Sequence, residues 1–394
     1  MSVQEAIEEV KRAAEADTGD DVRRHAELLK AIDRLKITAE RPEETVMRLR
    51  WEFMRSFSVR FALEYGILQI IAARDPVELT AAELSKETGA DELLIIRVMR
   101  LVTHLGLCGE VTHGVYVANE RTRFITRKAI TGGFKHVYDF GGQTVIKVPE
   151  LIRDRNLHQF PQEPDERSPF QHVFGDTMFG LLAKNPQRKR IFDDYMEARQ
   201  YSNDAKWFEI YPADRELNEG LKDGEDAVLI VDVGGGKGHD ISQFRQRFAN
   251  LPGKLILQDL PHTFRTLSSN LEGINLMEHD FFTEQPVKAG ARLYFMRSIM
   301  HDWADDKCVE ILKHIVAAMD PKYSRLLIDD IVVPETEVDW LTASLDLCMW
   351  LFFSGIERTI SQWKGLFDAV NLEIVHIWST RSSEGRVIEL RCRL

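Results

Sequence analysis

Val228-Leu229-Ile230-Val231-Asp232-Val233-Gly234-Gly235-Gly236-Lys237-Gly238 is the stretch that decides the fold. An apolar run of strand length, carrying one acid near its end, passes straight into a glycine-rich turn, and a helical segment follows. Glycine lets a backbone adopt positive φ and approach a ligand closely. The helix beginning beyond it offers free N–H groups and the positive end of its dipole. A pyrophosphate-binding turn has the spacing G-x-G-x-x-G. Here the order is D-x-G-x-G-x-G, so a strand–turn–helix cofactor site of another kind is expected.

Outward from this turn the chain alternates strand and helix. Ala227 to Val233, Lys254 to Asp259, Ile274 to His279, Arg292 to Ser298 and Ser324 to Val332 read as strands with helical segments between them, and Leu372 to Trp378 and Val387 to Cys392 close the chain. This is the pattern of a Rossmann-like, doubly wound α/β sheet, which binds ligands at the carboxyl ends of its strands. Asp259 ends the second strand, about twenty residues beyond the glycines, where a carboxylate accepts hydrogen bonds from both ribose hydroxyls. Asp280 follows the third strand and is placed to meet an adenine amino edge, with Phe281 to stack on the ring. His301 lies just past the fourth strand, and an imidazole with a pKa of about 6.5 is a natural general base near neutrality.

The first 220 residues are helical in character. Residues 1–42 form a charged arm. In 43–125, Val46, Leu49, Phe53, Phe57, Phe61, Leu63, Ile67 and Ile70 recur at helical spacing and predict long buried helices. Thr80 and Glu83 form a capping box for a helix that stops at Gly89, and a second helix runs from Asp91 to His104 and ends at Gly106. Gly109 to Val117 then alternates like two strands around a turn. Two helices and a hairpin make a winged-helix-like pattern, but Arg97 and Arg100 are the strong cations of its candidate recognition helix, too few for groove reading. The net charge of −12 also argues against nucleic acid as a partner. A dimerisation domain fits the apolar faces better. Residues 126–220 form a helical bridge expected to shape a substrate pocket, with a Pro-rich loop from Phe160 to Phe170, and 221–394 is the catalytic domain. Cys108, Cys308, Cys348 and Cys392 are widely separated, which predicts reduced thiols rather than a disulfide framework or zinc site. Met1 to Asp21 carries no apolar core of a secretory signal, and no run approaches a membrane span. A cytoplasmic protein with no membrane partner is expected.

The glycine turn resembles motif I of S-adenosylmethionine (SAM) dependent methyltransferases. Together with Gln258-Asp259-Leu260-Pro261-His262, His279-Asp280-Phe281-Phe282, His301-Asp302-Trp303 and Gly355-Ile356-Glu357-Arg358-Thr359, it makes residues 45 to 394 similar to the O-methyltransferase family of plant caffeate and isoflavone enzymes and fungal polyketide enzymes. The resemblance implies SAM as cofactor, a homodimer, and a small aromatic or polyketide acceptor with no metal. It implies that His301 is the general base, flanked by Glu357 and by Asp330, four residues before Pro334. The family often has Glu at that place, and Asp329 competes for the role. Around the cofactor it implies Asp232, Gly234, Gly236, Asp259, Leu260, Asp280, Phe281, Arg297 (in place of a Lys) and Trp303. Around the acceptor it implies Met196, Met349 and Asp302. Some fungal relatives with this fold keep SAM as a fixed charge for dehydration or pericyclic chemistry, which is the alternative. His136 and Arg199 are bridge residues that such a site could use, though a surface position is expected for them.

Overall fold

The computed structural model describes all of residues 1–394 except 20, 156–167, 201–205, 219, 223, 225, 266, 268–270, 289 and 380–385. It divides into two compact units, one formed by residues 1–16, 27–155 and 173–203, the other by 17–26, 156–172 and 204–394.

The second unit is built on a seven-stranded sheet: β1 (Val228–Val233), β2 (Lys254–Asp259), β3 (Ile274–Glu278), β4 (Leu293–Arg297), β5 (Arg325–Asp330), β6 (Leu372–Ser379) and β7 (Arg386–Cys392). The strand order is β6-β7-β5-β4-β1-β2-β3. The first five strands are parallel, whereas β7 runs antiparallel between β5 and β6. The chain leaves β1 for β2 and β3 on one side, then returns to β4 on the other. The switch point therefore lies between β1 and β4, where open sheets of this kind form their ligand crevice.

Parallel strands covered on both faces must be apolar on both. In β4, Tyr294 and Met296 join the core with Cys308, Ile311, Leu312 and Ile315 of the helix Asp305–Ala318, while Leu293 and Phe295 join the opposite core with Ile241 and Phe244 of the helix His239–Arg247. This division follows the two-residue period of a strand. Trp207 seals the second core, its ring stacked 4.6 Å from Phe295 and 5.3 Å from Phe244.

Two departures from the expected strands shape the site. The fourth strand stops at Arg297, because Ser298 turns out of it with φ +51°. The run expected as one strand from Ser324 to Val332 is two: β5 ends at Asp330, and Val332–Val333 pairs in parallel with Arg358–Thr359. That short pairing brings the distant 355–359 segment to the end of β5.

In the first unit, the strand Leu79–Thr80 leads into the helices Ala81–Thr88 and Glu92–His104, the strands Gly109–Thr112 and Val115–Val117 follow, and the three strands pair as an antiparallel sheet, the winged-helix-like arrangement. Thr80 and Glu83 form the capping box, with Glu83 N–H donating to Thr80 Oγ1 at 3.2 Å and Thr80 N–H to the Glu83 carboxylate at 2.8 Å. Gly89, at φ +73°, ends that helix. The long helix Pro42–Glu64 corrects the expectation of buried helices from Glu43 onward. Its second half packs through Val59, Ala62 and Leu63, but Val46, Leu49, Phe53 and Phe57 are 45–59% exposed. Helical spacing records an apolar face, not whether the same chain covers it. Among the described residues, no helix is long and apolar enough to cross a membrane.

Trp207→Ala removes the largest ring from the second core. It is expected to cost about 3–5 kcal/mol of stability, measured by urea unfolding; a loss below about 1 kcal/mol would show that this ring cluster does not anchor the sheet.

Candidate active site

The glycine turn closes over the end of β1. Gly234, Gly236 and Gly238 have φ of +69°, +61° and +74°. The N–H groups of Gly234 and Gly235 both donate to Gln258 O, at 2.9 and 3.1 Å, which ties the turn to β2. A side chain at Gly235 would collide with the Asp232 carboxylate, and one at Gly234 would lie 2.8 Å from Ile299 Cδ1 and 3.5 Å from the Phe281 ring. A side chain at Gly236 would meet no atom within 4 Å among the described residues beyond its chain neighbours, so this side of the turn is open among them. Asp232 is buried beneath the turn. Desolvation, with Asp240 and Asp259 nearby, pushes its carboxyl well above the usual range, and Oδ2 has no hydrogen-bond partner among the described residues.

Asp259 is fixed at both oxygens. Gly236 N–H donates to Oδ2 and Leu260 N–H to Oδ1, each at 2.8 Å. A carboxylate oxygen accepts more than one hydrogen bond, so a pair of vicinal hydroxyls can still be received. Asp280 uses Oδ1 to accept from Phe282 N–H at 3.0 Å. Phe281 and Phe282 meet Trp303 edge-to-face, at 6.1 and 4.7 Å between centroids, and form an aromatic wall. A glycine turn open on one side, a pinned carboxylate and an aromatic wall are the features a bound adenosine requires.

Arg297, at the end of β4, lies between two acids, with Nη1 2.5 Å from Asp240 Oδ1 and Nε 3.3 Å from Asp329 Oδ2. Asp329 is therefore engaged by Arg297. Asp330, next along β5, is buried, and neither of its oxygens has a hydrogen-bond partner among the described residues.

His301 sits in a single 3-10 turn after β4 and is 7% exposed. Its Nδ1 is 2.8 Å from Glu357 Oε1, and its Nε2 is 3.6 Å from Asp302 Oδ1. Burial alone would push the imidazole pKa down. The charge of Asp330, the hydrogen bond to Glu357 and the charge of Asp302 outweigh it and hold the pKa up to about 9. Burial pushes Asp330 up to about 7, with His301 opposing and Glu357 adding to the rise. Glu357 is itself set by the backbone, its N–H donating to Asp346 Oδ1 at 2.9 Å.

The match to known proteins follows this geometry. Residues 155–371 match the O-methyltransferase domain family. Demethylsterigmatocystin 6-O-methyltransferase of Aspergillus flavus is 34% identical over 334 residues, 84% of each chain. The chain belongs to the O-methyltransferase family. It is accordingly a SAM-dependent O-methyltransferase. Among solved structures it is similar to a pericyclic reaction enzyme, with a TM-score of 0.85 and 26% identity over 99% of this chain and all of the other. It is equally similar to OxaC in complex with sinefungin and meleagrin, with a TM-score of 0.84 and 28% identity over all of this chain and 99% of the other.

In this O-methyltransferase the residues read from the sequence fall in two places. Asp232, Gly234, Gly236, Asp259, Leu260, Asp280, Phe281, Arg297, His301, Asp302, Trp303, Asp330, Met349 and Glu357 all belong to the sheet unit. Met196, half-buried on the helix Pro186–Gln200, belongs to the other unit. Met349 is half-buried on the helix Trp340–Phe353, and its carbonyl accepts from Gly355 N–H at 3.1 Å. His136 is not at the surface as expected. It is buried against Phe140, Phe192 and Tyr195, and desolvation lowers its pKa to about 4. The Arg199 side chain and most of the Phe160 to Phe170 loop lie outside the described residues. The sequence reading missed Asp346, although it left a signal: Asp346 is the one charged residue in the apolar helix Trp340–Phe353.

The raised imidazole gives a direct test. In an NMR titration of the free protein, His301 is expected to lose its proton near pH 9 and to be charged below that. Glu357→Gln removes a charge and an acceptor, so it is expected to lower the midpoint by about one unit or more. An unchanged midpoint would mean that Glu357 does not stabilise the imidazolium.

Proposed function

We propose that this O-methyltransferase methylates a hydroxyl of a small aromatic or polyketide secondary metabolite, with His301 as general base. The observation that carries this reading is the buried His301–Glu357 pair, 2.8 Å apart, at the switch point beside the glycine turn. When bound, SAM supplies a transferable methyl on a sulfonium, whose positive charge also opposes the imidazolium.

Glu357 accepts from Nδ1–H, so Nε2 is the basic nitrogen of the neutral ring, the form that the charge of a bound SAM would favour over the imidazolium of the free protein. A phenol has a pKa of about 10, by analogy with tyrosine, so removal of its proton by Nε2 as attack begins raises its nucleophilicity. Asp330 and Glu357 then stabilise the charged ring. Asp259 receives the ribose hydroxyls, and Asp280 and Phe281 take the adenine edge and face. Trp303 backs that wall, while Gly234, Gly236 and Leu260 line the cradle over Asp232. Arg297, held by its two acids, closes the cofactor end. Met349 and Asp302 contact the acceptor. The functional divisions follow as an arm (1–42), a dimerisation domain (43–125), a bridge that shapes the acceptor pocket (126–220) and the catalytic domain (221–394). Four free cysteines suit the cytoplasm.

Purified protein, methyl-labelled SAM and a panel of phenols and polyketides, read by mass spectrometry, test the activity. His301→Ala is expected to lower kcat by ~10²–10⁴-fold with SAM affinity unchanged; near-normal turnover would remove His301 from the base role. Asp259→Ala is expected to weaken SAM binding by about tenfold or more in calorimetry. The second reading, a SAM-retaining pericyclic or dehydrating enzyme, is favoured by the likeness to a pericyclic reaction enzyme. Product formed without consumption of SAM would select it.

We also propose a homodimer formed through the exposed stripe Val46, Leu49, Phe53 and Phe57. Light scattering is expected to give twice the chain mass for the wild type and a monomer for Leu49→Glu/Phe53→Glu. A double variant that stays dimeric would exclude this face.

A further inference from the structure

Residues 300–305 and 355–358 hold each other through backbone and side chain alike. Ile356 N–H donates to His301 O at 2.9 Å. Any side chain at Gly355 would collide with that carbonyl, so the approach requires glycine. Glu357 takes the imidazole. Arg358, the next residue, is 1% exposed and serves a different part of the same turn. Its Nη1 donates to Met300 O at 2.8 Å and its Nη2 to Trp303 O at 2.8 Å. Nε and Nη2 also donate to Asp305 Oδ1, at 3.0 and 2.7 Å. The guanidinium lies over the Trp363 ring, 5.5 Å from its centroid. The Cys308 thiol sits against the same two carbonyls, at 3.2 Å from Met300 O and 3.4 Å from Trp303 O.

We propose that Arg358 is a positioning residue for methyl transfer: its guanidinium fixes the carbonyls on either side of His301, so that Glu357 meets Nδ1 of a ring already in place. The proposal rests on His301 being the base. An ion pair alone is a poor account of this arginine. The Asp305 side chain is 71% exposed, and pairs with so exposed a partner contribute little. The carbonyl bonds are what require Arg: a planar fork reaches Met300 O, Trp303 O and Asp305 together, whereas a lysine ammonium presents its donors from a single point. The glutamate and arginine of the E-R-T motif thus act on one target, the first on the base's side chain and the second on its backbone.

The test compares Arg358→Lys, Asp305→Ala and His301→Ala in the full chain. Four measurements are made on each: thermal melting, SAM binding by calorimetry, NMR titration of the histidine ring (where present), and turnover with a phenol that the wild type methylates. Arg358→Lys is expected to fold, to bind SAM within about twofold of the wild type and to lose ~10²-fold in kcat, the scale of an ångström-sized misplacement. Its His301 midpoint is expected to fall from about 9 toward the ordinary histidine value. A folded Arg358→Lys with wild-type kcat and His301 midpoint overturns the proposal. So does one whose loss of kcat tracks its loss of SAM affinity and melting temperature while the midpoint stays put. Asp305→Ala leaves both carbonyl bonds in place and is expected to keep the wild-type midpoint and kcat; a loss there as large as that of Arg358→Lys would assign the effect to the ion pair and overturn the proposal. If Arg358→Lys does not fold, Arg358→Gln, whose amide donors share one nitrogen and cannot span Met300 O and Trp303 O together, decides in its place by the same readouts. If His301→Ala keeps near-normal turnover, the base reading fails and this one falls with it; if His301→Ala is inactive and Arg358→Lys is normal, only the positioning role is lost.

Discussion

Removing an imidazolium from water is costly, and burial by itself drives a histidine to give up its proton. His136 does so, packed among rings with its pKa down to about 4. His301 is as deeply buried, yet its pKa is held near 9, because three carboxylates surround it. That accumulation of acids is the constraint on which the rest of the site depends. Asp302 comes from the turn itself, Asp330 from the end of β5 and Glu357 from a segment 56 residues away. Asp330 and Glu357 are buried and act without water to screen them, so β5 has to end where it does and the 355–358 segment has to pack tightly on the turn.

The topology supplies the meeting place. The reversal between β1 and β4 leaves a crevice with the glycine turn on one side and the His301 turn on the other. Neighbouring acids are then sorted by strand alternation. Asp329 and Asp330 point to opposite faces of β5, and Arg297 engages the first while the second acts on His301. A single residue of register separates an acid that holds an arginine from one that tunes the histidine.

Most of the sheet and its glycine turn were legible because their signals are local. Apolar runs of strand length, glycines at fixed offsets and an acid near the end of each of the first three strands need no knowledge of the rest of the chain. The capping box at Thr80 and Glu83 is equally local. What was not legible depends on contacts distant in sequence. The antiparallel entry of β7 between β5 and β6 leaves no mark in either strand's composition. The break after Asp330 follows from pairing with Arg358–Thr359, and the exposed half of Pro42–Glu64 has the same spacing as the buried half. The choice between Asp329 and Asp330 turned on where Arg297 lies. Asp346 could have been found from its isolation in an apolar helix, but its partner, a backbone N–H of Glu357, could not.

Cys308 gives the His301 turn a further property. Its thiol lies under Met300 and Trp303, and desolvation raises its pKa to about 12, so in the closed turn it is neither reachable nor ionised. Alkylation needs a thiolate with access to solvent. The sulfur therefore reacts only when the turn lifts, and its labelling rate is a clock for local opening around His301, read on the unmodified chain without any acceptor being known.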